Sequence, residues 1–82
     1  MRKTLMNKLT TVDFKHTMLL SGRVIKVCAD FDVSGKFLSW NATFYVAPQF
    51  FEMTGCVERT QGETDAQTVV VSIGQALNAR FA

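Results

Sequence analysis

Apolar and polar residues alternate with a period of two through the first half of the chain. From Arg23 to Val33 the odd positions are Ile25, Val27, Ala29, Phe31 and Val33, and the even positions include Lys26, Asp30 and Asp32. From Lys36 to Val46 the parity flips: Leu38, Trp40, Ala42, Phe44 and Val46 are apolar, while Ser39, Asn41 and Thr43 are polar. Successive side chains of a strand point to opposite faces, so each stretch predicts a strand with one face buried.

Gly-containing breaks separate these stretches. A tight turn at Ser34-Gly35 predicts that Val33 faces Lys36, Phe31 faces Leu38, Ala29 faces Trp40 and Ile25 faces Phe44. The alternation extends backwards through Val12, Phe14, His16, Met18 and Leu20, and a turn at Ser21-Gly22 predicts Met18 against Ile25 and Phe14 against Ala29. In both hairpins apolar residues meet apolar residues, and a slip by one residue would turn a whole apolar face to water.

Beyond Pro48 the alternation fades. Phe50 to Met53 reads as a loop or helical turn, and Cys56 to Thr60 as a short fourth strand. The spacing then changes. Thr64-Asp65-Ala66-Gln67 fits a capping box, and Val69, Val70, Ile73, Leu77 and Phe81 follow at three- and four-residue steps. The β-branched run Val69–Val71 and the interior Gly74 oppose a helix. The fold class expected is α+β: a three- to four-stranded antiparallel β-meander over 10–47 with one C-terminal helix, 64–80, on its apolar face. Residues 1–9 read as an arm of the same single domain.

With 82 residues, 48% of them hydrophobic, the chain has one core and no room for a second domain. It contains no apolar run of the roughly 18 residues a membrane helix needs, and the basic start has no apolar segment of export type behind it. The expectation is a cytoplasmic protein without a membrane partner. Cys28 and Cys56 are then expected to be reduced and packed as small apolar side chains. The net charge of +2 is uneven: Arg2, Lys3, Lys8, Lys15, Arg23 and Lys26 face a lone Asp13 in residues 1–26, whereas the remainder is acidic. Such asymmetry orients a charged partner.

Chemistry is sparse. His16 is the only histidine and falls on the apolar face, with Cys28 on the other, so no three-ligand metal set converges. Neither cysteine has an adjacent base, and the glycines fit neither a dinucleotide nor a phosphate loop. No catalytic residue, metal or cofactor is expected. The candidate binding residues are Lys15, Lys26 and Tyr45, read as neighbours on the polar sheet face, and Phe50 and Phe51 in the segment after Pro48. In this register Lys15 lies opposite Cys28, one diagonal step from Lys26. Basic residues beside aromatics contact phosphates and stack bases on sheet-based single-strand binders.

The succession Phe44-Tyr45-Val46, Pro48, Gly55-Cys56-Val57 and Gly62-Glu63-Thr64 before a helix ending in Ala76-Leu77 resembles the HicB-type antitoxin domain over about half the chain. That resemblance implies a hairpin, a Pro-to-Gly-Cys loop, a helix and a toxin-binding role. With no catalytic constellation and no cofactor motif, the expected function is a non-enzymatic binding or inhibitor protein with a protein partner. A phage or mobile-element origin, as for anti-CRISPR proteins, is an expectation from the small size of such proteins and not from these residues. The alternative is a nucleic-acid binder using the basic N-terminal third.

Overall fold

The computed structural model describes residues 9–81. Four strands run in chain order: β1 (Thr10–Thr17), β2 (Val24–Ser34), β3 (Phe37–Val46) and β4 (Gln49–Glu58). They form one antiparallel sheet in the order β1-β2-β3-β4, and α1 (Asp65–Phe81) follows. The α+β meander with a C-terminal helix is therefore the architecture. Residues 1–8 of the expected arm, with Arg2, Lys3 and Lys8, lie outside the described residues.

The buried face carries the parity read from the sequence. Ile25, Val27, Ala29 and Phe31 of β2, and Leu38, Trp40, Ala42 and Phe44 of β3, pack with Val69, Ile73 and Leu77 of α1. The smallest extent of the molecule is 17 Å, which holds one sheet and one helix but no third layer. Among the described residues, no element covers the opposite sheet face.

Both inner registers differ from expectation by two residues. Val27 faces Phe44, Ala29 faces Ala42 and Phe31 faces Trp40, with Ser34 against Phe37 closing the hairpin. The reason lies in the turn: Gly35, at φ 62°, takes the first of the two turn positions, where a left-handed residue matches the strand twist. Between β1 and β2 the turn is longer. Met18 N donates to Arg23 O at 2.7 Å and Gly22 N to Met18 O at 3.0 Å, so Leu19 to Gly22 form a four-residue loop. Leu20, expected on the buried face, is therefore exposed at its tip. A two-residue shift conserves parity, which is why the face assignments survive.

The larger correction is β4. Phe50 to Met53, expected to be a loop or helical turn, are strand. Together with the start of the expected fourth strand at Cys56 they make one ten-residue strand, joined to β3 by Ala47-Pro48 and paired from Val46–Gln49 to Phe37–Glu58. The Pro48-to-Cys56 loop implied by the HicB resemblance is likewise strand. Phe51, Met53 and Val57 do alternate inward, but Gly55 interrupts them. Gly55 lies opposite Trp40, whose indole occupies the space that a Cβ at position 55 would need. One large residue fills two positions of the pattern.

The helix begins as its cap predicts: Gln67 N donates to Thr64 Oγ1 at 3.1 Å. Trp40 Nε1 donates to Ser72 Oγ at 3.1 Å, tying the buried indole to α1. His16 sits half-buried on the inner face, its Nε2 3.0 Å from Asn78 Oδ1. Gly74 is the helix position beneath that imidazole, since a Cβ there would lie 3.2 Å from His16 Cε1 and Nδ1.

Candidate functional site

The open sheet face is ordered into rows by the strand pairing. Lys15 of β1 faces Lys26 of β2, directly rather than diagonally as the sequence register had it. Tyr45 of β3 lies next to Lys26, one step beyond the Val27–Phe44 pair, and faces Phe50 of β4. Four of the five candidate residues therefore cross the sheet in a single row: two ammonium groups on one side, two aromatic rings on the other. The rings of Tyr45 and Phe50 touch, with centroids 4.8 Å apart and planes tilted by 55°. Phe50 is 80% exposed and Tyr45 49%.

Phe51 is not part of this row. It points through the sheet to the helix side, stacks on Phe44 at 5.6 Å and meets Phe81 edge-on at 5.2 Å. The Arg80 guanidinium lies 5.7 Å from its ring. Phe51 closes the end of the core.

A shallow hollow of about 500 Å³ lies along the row. Lys15, Lys26, Tyr45 and Phe50 line it together with Cys28 and Thr43 of the next row, which face each other. Small side chains beside large ones make the depression. The polar neighbours divide into satisfied and unsatisfied groups. Hydrogen bonding toward Asp13, some desolvation and the negative charges of Asp13 and Asp30 push the Cys28 thiol above its ordinary pKa. Asp30 accepts from Thr11 Oγ1 at 2.8 Å, and Glu52 from Asn41 Nδ2 at 3.1 Å. Asp30 and Glu52 are thus matched with neutral donors. Lys15 and Lys26 have no ion-pair partner: Arg59–Asp65, at 3.0 Å, is the ion pair found among the described residues.

This arrangement suits binding of a ligand that combines negative charge with a flat apolar group. Cys28 does not offer a thiolate for attack, because its surroundings favour the protonated thiol. Both cysteines are exposed, contrary to the packed role expected of them. They sit on β2 and β4 with β3 between, about 10 Å apart at the least, beyond the reach of a disulfide.

The row was half visible in the sequence. Alternation put Lys15, Lys26 and Tyr45 on one face, but Phe50 joins them only because Gln49–Glu58 is a strand. The alternation of Phe51, Met53 and Val57 carried that signal, with Gly55 as the gap. No helix among the described residues is long and apolar enough to cross a membrane. No family description, curated protein or solved structure matches the chain.

Proposed function

We propose that this protein is a non-enzymatic binding domain that takes single-stranded nucleic acid across its open sheet face. The observation that carries the reading is the row Lys15–Lys26–Tyr45–Phe50. Two like charges held opposite each other repel, and an anion between them removes that cost. A phosphate supplies the anion, and the attached bases supply flat faces for Tyr45 and Phe50, where stacking is tolerant of sequence. The Glu52 carboxylate, beside Phe50 on β4, keeps the phosphate backbone away from the aromatic end. A duplex, with its bases stacked inside, offers no free face to the aromatics. The exposed, separated thiols fit a reducing compartment, and we place the protein in the cytoplasm.

A second reading, capture of a protein partner, draws on other residues. Leu19 and Leu20 at the β1–β2 tip are 73% and 76% exposed, with Val24 beside them. This apolar margin is surface that a nucleic acid leaves unused.

Anisotropy of labelled single-stranded DNA and RNA oligonucleotides separates the readings. Binding should weaken steeply with salt. Lys15→Glu/Lys26→Glu should abolish it, and Lys15→Gln/Lys26→Gln should lower the salt slope by about two. Tyr45→Ala and Phe50→Ala should each cost ~1–3 kcal/mol. Absence of binding to either oligonucleotide at low salt refutes the proposal. A partner held equally well at low and high salt through Leu19 and Leu20 would establish the second reading.

A further inference from the structure

β1 is an edge strand, and its backbone pattern shows which residues meet an incoming strand. In an antiparallel ladder alternate residues direct N–H and C=O to the neighbour on each side. Met18 N bonds to Arg23 O, so the even residues His16, Phe14 and Val12 bond toward β2. Thr11, Asp13, Lys15 and Thr17 turn their backbone groups to the free side, where no strand pairs with them among the described residues. An edge without proline, bulge or clustered like charge is a template for another strand. The only charges on β1 are Asp13 and Lys15, two positions apart.

We infer that β1 is a self-association edge, at which a second copy adds its own β1 antiparallel about a twofold axis at Phe14, giving a continuous eight-stranded sheet. Only the outward-turned odd residues can exchange hydrogen bonds across the seam, which leaves three well-overlapped registers. Centring on Asp13 sets two carboxylates opposite each other, and centring on Lys15 sets two ammonium groups opposite each other. Centring on Phe14 sets Asp13 of each copy opposite Lys15 of the other, twice, with Thr11 opposite Thr17. Charge complementarity selects this register. On the helix side it brings the two Phe14 rings together and Val12 to His16, covering side chains that a monomer leaves half-buried at the sheet margin.

The other edge lacks this property. Arg59 N bonds to Lys36 O at 2.7 Å, so the residues of β4 that turn outward are Phe50, Glu52, Thr54, Cys56 and Glu58. Both charges are acidic, and no register of β4 with itself pairs opposite signs. The inference does not depend on the proposed function. The seam engages Lys15 with Asp13 of the other copy through two exposed pairs that salt screens, and it leaves Lys26, Tyr45 and Phe50 in place.

The test is sedimentation of the full chain over a range of concentrations. The wild type should form a dimer, and Asp13→Lys and Lys15→Asp should each weaken it about tenfold or more. The double variant Asp13→Lys/Lys15→Asp should restore it. So should an equimolar mixture of the two single variants, because each then offers the charge that the other lacks. Both side chains are exposed, so the single variants should keep the wild-type circular dichroism. A wild type that stays monomeric, a dimer indifferent to either change, or single variants whose mixture stays monomeric would each overturn the inference.

Discussion

Two residue pairs explain the places where the amino-acid pattern is irregular. Trp40 and Gly55 share one volume, the indole lying where a β4 side chain would stand. Trp40→Ala should cost ~3–5 kcal/mol in chemical denaturation, because the indole also loses its bond to Ser72. The chain has a single tryptophan, so native fluorescence should be blue-shifted; emission typical of exposed indole would contradict the packing. Gly55→Ala should cost ~1–3 kcal/mol even though alanine is the better strand residue. His16 and Gly74 are the second pair. Ordinarily Gly74→Ala would stabilise a helix interior by about 1 kcal/mol, but here the new methyl group meets the imidazole. The substitution should therefore be more favourable, by at least ~0.5 kcal/mol, in a His16→Ala background than in the wild type. Equal effects in both backgrounds would show that the glycine has another role.

Among the elements, legibility follows the strength of the periodic signal. β2 and β3 were readable because every second residue is apolar without a gap. Their register was not, since Gly35 could occupy either turn position and both keep the same face inward. β4 was obscured by Gly55 and by the consecutive Phe50 and Phe51, which point to opposite faces. The helix start was the most local feature and the best determined. Thr64→Ala should destabilise by ~1 kcal/mol and Thr64→Ser by much less. Indistinguishable stabilities for all three proteins, measured by urea denaturation, would contradict a cap at Thr64.

At the scale of the molecule, one helix on a four-stranded sheet leaves the other sheet face without a covering element among the described residues, and that face carries the proposed function. Which residues share it could be read from parity alone; which ones touch could not. Lys15 and Lys26 become direct neighbours only through the shifted β1–β2 register, and Tyr45 meets Phe50 only because β4 exists. The charge asymmetry of the sequence pointed to the same end of the sheet, but it could not reveal that Asp30 and Glu52 are occupied by Thr11 and Asn41 while Lys15 and Lys26 have no ion-pair partner among the described residues. The most direct measurement is therefore a residue-by-residue map: amide and side-chain NMR shifts of the full chain titrated with a single-stranded oligonucleotide. The account predicts perturbations at Lys15, Lys26, Tyr45 and Phe50, extending to Cys28 and Thr43, and none along the exposed side of α1. Perturbations confined to α1, or none at any residue, would contradict it.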